Sequence, residues 1–215
     1  MIKSFKRPKT TENWKKWWIE RKIDWKVSYL DTWNHPHRDL LSVVLTEFPW
    51  MSLVEVGCGP GPNLVNIIKK FKGKQVGGID VSPSAIELAK ETFKGAYLKV
   101  GSVEDIMMSD NSTDVILSDM CLIYISPNKI DKAIKEIKRV ARTNIVFCEF
   151  HSESLLSRLR LRFTSGYYAH NYKKLLAKHG FHDIIIRKLP EGSWPGGEPQ
   201  KTYGYIITAR ISNRK

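Results

Sequence analysis

From Ser52 onward the chain alternates between two hydrophobic patterns. Short apolar runs read as strands: "SLVEV" at 52–56, "QVGGID" at 75–80, "AYLKV" at 96–100, "DVILSD" at 114–119 and "NIVFCEF" at 144–150. Between them, apolar residues return every three or four positions. Residues 63–71 set Leu64, Ile67, Ile68 and Phe71 on one helical face. "SPSAIELAKETF" follows the second strand, with Ser82 as N-cap and Pro83 at the first helical position. A third helix, opened by Ser126 and Pro127, carries Ile130, Ile134, Ile137 and Ala141 along one side. Such alternation with short loops predicts a parallel sheet covered on both faces.

The pattern changes on either side of this core. A helix over about 170–179 precedes two β-rich runs, "FHDIIIRKL" and "TYGYIITARI", joined by the loop "PEGSWPGGEPQK". These predict a strand pair added to the sheet edge. Residues 1–50 are helix-prone and rich in aromatics, with Trp14, Trp17 and Trp18 at i, i+3, i+4 spacing. That stripe predicts a helix packing its apolar face on the domain, with a stacking surface for substrate or nucleic acid as the alternative. The organisation expected is an N-terminal helical cap over 1–50 and a main domain over 51–215, with substrate-side elements around 151–170 and 190–202.

Composition narrows the setting. A chain of 215 residues can bury one sizeable core. No apolar run approaches bilayer length, and the N-terminus lacks a signal-like segment. Cys58, Cys121 and Cys148 are dispersed without CxxC spacing, which fits a reducing interior. A cytoplasmic protein without a membrane span is expected. The net charge of +13 is uneven: residues 151–215 carry 12 Lys/Arg against 4 Asp/Glu, whereas 51–150 are nearly balanced. A basic tail suits RNA or another anionic partner, or it is simply a solvated surface.

The stretch "EVGCGPGPN" carries the chemistry. It is not a P-loop, and both GxGxxG registers fail, ending on Pro62 or Leu64. Phosphates need free N–H groups, yet Pro60 and Pro62 each remove one. Glu55 would also repel a diphosphate. A cationic ligand approached closely by backbone fits better.

Here the chain resembles the class I S-adenosylmethionine (SAM)-dependent methyltransferases, in particular the methyltransferase type 11, UbiE-like group. In them an acid ends the first strand and GxGxG follows, as in "EVGCGPG". The resemblance spans roughly residues 50–150. It implies an α/β, Rossmann-like fold with a mainly parallel seven-stranded sheet flanked by helices, the last strand antiparallel. It also implies roles. Glu55 would meet the amino group of SAM, with Gly57, Cys58, Gly59, Gly61 and Asn63 against the cofactor. Asp80, 25 residues after Glu55, would accept from the ribose hydroxyls, beside Val81. "GSVEDI" stands where the family usually has "GDAEDL", so Ser102 replaces an acid there, and Val103 would flank the adenine. "SDMCLIYI" would face the sulfonium with Asp119, Met120 and Tyr124, while Tyr29 and Arg38 of the N-terminal helices would line the methionine end.

Methyl transfer is an in-line displacement on an activated carbon, so proximity can supply much of the catalysis. The candidate catalytic residues are His37, Tyr124 and His151, with His35 and His170 as further histidines. His35-x-His37 has no matching ligand cluster, and no metal is expected. Cys121 lacks the neighbouring proline of cytosine C5 enzymes and reads as a buried thiol. "LLSRLRLRF" at 155–163 alternates Arg158, Arg160 and Arg162 with apolar residues, which suggests a surface strand with a basic face, a short helix being the alternative. Trp194 is a candidate lid residue or loop anchor. The expected function is methyl transfer from SAM, leaving S-adenosylhomocysteine (SAH), to an O, N or C nucleophile of a small or medium acceptor, anionic ones included. The alternatives are an RNA or protein methyltransferase, or a SAM-binding protein without turnover.

Overall fold

A computed structural model describes residues 7–194 and 198–211. Its centre is a seven-stranded sheet in the order β3-β2-β1-β4-β5-β7-β6. The strands are β1 (Ser52–Val56), β2 (Gln75–Asp80), β3 (Tyr97–Val100), β4 (Thr113–Asp119), β5 (Ala141–Phe150), β6 (Phe181–Lys188) and β7 (Gly204–Ile211). The first five run parallel, and β7 lies antiparallel between β5 and β6. The expected fold class is therefore observed. The added strand pair does form the sheet edge, but its second member sits inside, against β5.

Residues of the central strands point alternately into two cores. Val54, Val56, Ile116, Ile145 and Phe147 pack with Ile130, Ile134 and Ile137 of α6 (Ile130–Val140) and with Tyr172 and Leu176 of α8 (Tyr172–Lys178). Leu53, Val115, Leu117 and Val146 face the other way, against α4 (Pro62–Lys70), α5 (Pro83–Thr92) and α3 (Pro36–Val44). Both faces are thus apolar, which is why these strands read as continuous runs. Burying Leu41 and Leu45 in this second core ties α3, inside the expected cap, to the main domain. Ahead of it lie α1 (Thr11–Glu20), α2 (Trp25–Ser28) and a 3-10 turn at Leu30–Thr32.

Caps explain most boundaries. Ser82 accepts from the Ala85 N–H, and Pro83 begins α5 as expected. Helix α4 begins one residue early because Pro62 suits a first turn. Ser126 does not open α6. Its N–H donates to Thr11 Oγ1 and its hydroxyl to Asn128, so it is tied to α1 and a turn intervenes before Ile130. The strand reading of 155–163 is overturned: Leu155–Ser165 is helix α7, capped by Ser154 at its start and closed by Gly166 at φ 79°. Its pitch separates the arginines, leaving Arg160 on the side away from Arg158 and Arg162, so no common basic face forms. The loop at 190–202 contains a short helix, α9 (Glu198–Tyr203). Its Pro195, Gly196 and Gly197 lie outside the described residues, as do residues 1–6 of the cap and 212–215 of the basic tail.

Candidate functional site

A cavity of about 330 Å³ opens at the carboxyl ends of β1, β2 and β4. The turn after β1 sets its floor. Gly57 has φ 72°, and a Cβ there would stand 2.4 Å from Cys121 Sγ, so only glycine fits. Gly59, at φ 54°, would direct a Cβ into open space, leaving its backbone bare. The amides of this turn are already engaged. Gly57 and Cys58 N–H donate to the Ile79 carbonyl, Gly59 N–H to Asp80 Oδ2 at 2.9 Å, and Gly61 N–H to the Cys58 carbonyl. With Pro60 and Pro62 lacking an N–H, these six residues offer a phosphate no free donor.

Buried acids meet beside the turn. Asn63 Nδ2 donates to Glu55 Oε1 at 2.6 Å and to Asp119 Oδ2 at 2.9 Å. Asp119 Oδ2 also accepts from Arg38 Nη1 at 3.0 Å and pairs with His37 Nε2 at 3.2 Å. Arg38 Nη1 reaches Asn63 Oδ1 at 2.7 Å, and its Nε donates to the Thr32 carbonyl, locking the 3-10 turn to α4. Two carboxylate oxygens are left without a partner, Glu55 Oε2 and Asp119 Oδ1. Buried, unpaired acceptors are rare and call for a ligand or ion.

The electrostatics follow from burial. Desolvation pushes the Glu55 carboxyl up to about 8, helped by the negative Asp119, while its bond from Asn63 pulls the other way. Burial also works to raise Asp119, but the charge and hydrogen bond of His37, then Arg38, hold it well below the usual carboxylate range. Asp80 is raised by burial despite accepting from Ser82 and Gly59 amides. The site therefore combines one firmly ionised carboxylate with one that ionises readily when a cation arrives.

The opposite wall is aromatic. Trp14 packs against Tyr124 at 4.7 Å and Tyr167 at 5.6 Å between ring centroids, and Trp18 against Tyr124 at 5.6 Å. Tyr29 joins through Trp18 at 6.1 Å. The cations on the cavity wall are paired: Lys15 with Glu104, and Arg38 with Asp119.

Most residues named from the sequence line this cavity. Glu55, Gly57, Cys58 and Gly59 come from β1 and its turn and Asn63 from the start of α4; Asp80, Val81, Ser102 and Val103 from the β2 and β3 ends; Asp119, Met120 and Tyr124 from the end of β4 and the segment after it; and Tyr29 and Arg38 from the N-terminal helices. Met120 holds φ 51°, an uncommon conformation for a side chain of its size. Gly61 is off the wall, turned against Phe93. His37 is fully buried behind Asp119, with its ring 3.8 Å from Trp194; it positions the acid and does not face the cavity. His151 lies elsewhere, on a second pocket with Ser157, Lys173 and Tyr205, its Nδ1 accepting from the Tyr172 amide. His170 is buried against the Ile125 carbonyl, its imidazole lowered to about 4 by burial. Cys121 is half-buried on the cavity wall, and desolvation pushes its thiol up, which disfavours a nucleophilic thiolate.

Glu149 was missed. Its Oε1 accepts from Ser118 Oγ and the Cys121 and Leu122 amides, and its Oε2 from the Ile123 amide. It fixes the 120–124 segment that carries Met120 and Tyr124. A lone acid inside the apolar run "NIVFCEF" was the available signal.

Residues 53–144 match a family model described as a methyltransferase domain. Over that span, less than half of the chain, the protein is similar to methyltransferase domains, in line with the resemblance drawn from the glycine turn. Carboxy-S-adenosyl-L-methionine synthase 1 of Yersinia pseudotuberculosis serotype IB is 26% identical over 54% of this chain and 52% of its own length. Trans-aconitate 2-methyltransferase of Mycolicibacterium gilvum is 31% identical over 46% of this chain and 37% of its own. The matched region is thus about half the length of the first of these relatives. Among solved structures, the plantazolicin methyltransferase in complex with SAH superposes with a TM-score of 0.65 at 18% identity, over 93% of this chain and 94% of that one.

Proposed function

We propose that the chain binds SAM in this cavity and transfers its methyl group to a nucleophile of a small or medium acceptor. The observation that carries the reading is the pair of unpartnered oxygens, Glu55 Oε2 and Asp119 Oδ1. They suit an ammonium, and the engaged amides of the turn argue against a phosphate. Bound SAM supplies a methyl carbon activated by a sulfonium.

The chain's own residues bind and orient. Glu55 and Asp119 take the ammonium, Asn63 and Arg38 holding both acids in place. Asp80 retains lone pairs beyond its two amide bonds to accept from ribose hydroxyls. Ser102 and Val103 flank the adenine. Glu149 sets the loop bearing Met120 and Tyr124 toward the reacting end, and the aromatic wall excludes water and seats the acceptor. With the wall cations paired, an uncharged acceptor fits this side better than an anionic one. Nothing histidine-like faces the cavity among the described residues, so proximity and orientation carry the reaction.

Titration calorimetry with SAM tests the binding, and labelled-methyl transfer into metabolite, RNA and protein pools tests the acceptor class. Failure to bind SAM or SAH would remove the reading entirely. Labelling confined to RNA or protein would replace the small acceptor.

A further inference from the structure

Helix α7 turns an apolar stripe outward. Leu155, Leu156, Leu159 and Phe163 are all exposed, Leu156 at 79% and Phe163 at 82%. At 3.6 residues per turn they fall within an arc of about 100°. The far side of the helix, Leu161 and Ser165, is buried. The helix is therefore already anchored to the domain, and its outward stripe is not needed for that packing.

Arginines border the stripe on both edges. By the same pitch, Arg158 and Arg162 flank one side and Arg160 the other. Arg162 donates to the Gly166 carbonyl and to the Lys9 carbonyl, and Arg7 donates to the Ser165 carbonyl. Arg7 and Lys9, both exposed, thus lie along the C-terminal end of α7. Within α7 itself there is no acid; Glu153 precedes it.

We propose that α7 is an interfacial helix that docks the protein on an anionic lipid bilayer. Leucine and phenylalanine side chains would enter the headgroup boundary, while the exposed Arg160, Arg7 and Lys9 offer their charges to lipid phosphates. A second copy is a poorer occupant: pairing this face with itself would oppose like arginines on chains that each carry +13. An anionic surface complements them. The face adjoins the cavity, because the Gly166 carbonyl that ends α7 accepts from Trp14 Nε1, and Tyr167 lines the aromatic wall. Docking here does not depend on which ligand the cavity holds.

The test is co-sedimentation of the full chain with vesicles of phosphatidylcholine alone or mixed with phosphatidylglycerol. Binding should favour the anionic vesicles and weaken with salt. Arg160→Glu should reduce it roughly fivefold or more, from the contribution of each basic group near a charged surface. The double variant Leu156→Glu with Phe163→Glu should abolish it while its thermal unfolding matches wild type. Equal binding by the double variant, or no preference for anionic vesicles, would overturn the proposal. So would a wild-type dimer in ultracentrifugation that the double variant dissolves without any vesicle binding, which would make this face a contact between copies. A separate SAM titration keeps this result distinct from that of the methyl-donor reading.

Discussion

The two sides of the cavity are built in opposite ways. The polar side comes largely from one strand-turn-helix: Glu55, the glycines and Asn63 lie within nine residues, joined by Asp80 and Asp119 at the ends of neighbouring strands. The aromatic side is assembled from distant segments, Trp14 and Trp18 from α1, Tyr124 after β4 and Tyr167 after α7. One side is a buried polar network with two open acceptors; the other is packed rings with its Lys15 neutralised by Glu104. The difference suggests a division of labour in which the first recognises a fixed ligand and the second adapts to the acceptor. Substitutions on the two sides should then separate in their effects.

The largest effect should come from Asp119→Ala. It leaves Arg38 buried without its partner, which costs about 3–5 kcal/mol, and it removes one ammonium acceptor. SAM affinity should fall by roughly a thousandfold, with a lowered melting temperature; near wild-type affinity would show that the polar side is not the cofactor side. Asp80→Ala should weaken SAM by roughly ten- to a hundredfold in calorimetry, since bonds involving charged groups contribute about 1.5–3 kcal/mol.

Glu55→Gln should weaken SAM similarly yet stabilise the free protein. In the fold Glu55 keeps its proton up to about 8, against an ordinary 4.5. The folded state thus binds more protons than the unfolded between those values, and this group's contribution to stability falls as pH rises from 4.5 to 8. Gln removes that slope, so at pH 8 the variant should melt higher, by about 2–4 °C for each kcal/mol relieved. Equal melting temperatures at pH 8 would contradict the buried-acid account.

On the other side, Trp18→Ala should cut labelled-methyl transfer by roughly tenfold while SAM affinity stays within about twofold, a loss of packing confined to the acceptor. Parallel losses would erase the distinction between the sides. His151→Ala should leave both readouts within about twofold; a large loss would return it to the mechanism.

The polar side was legible because its residues are close in sequence and their types are demanded locally. Prolines among the glycines and an acid before them already pointed away from phosphate. The sheet was legible for the same reason, since each strand needed only its own apolar run. What failed needed tertiary information. The alternation in "LLSRLRLRF" matched a strand until the Ser154 cap and the burial of Leu161 and Ser165 made it a helix. The surroundings of His37 and His151 were equally out of reach of the string of letters: one sits behind Asp119 and the other on a second pocket. Glu149 was hidden by its apolar neighbours, because its value lies in four donors from another segment. The aromatic wall could not be read either, as Trp14 and Tyr167 meet only once the chain has folded.

The most direct test is a SAM titration at pH 7 in two buffers of different ionisation enthalpy. A cation reaching Glu55 favours its ionised form, so wild type should bind SAM and release close to one proton, and Glu55→Gln should bind more weakly and release almost none. Absence of SAM binding, or identical proton release by both proteins, would contradict the central claim.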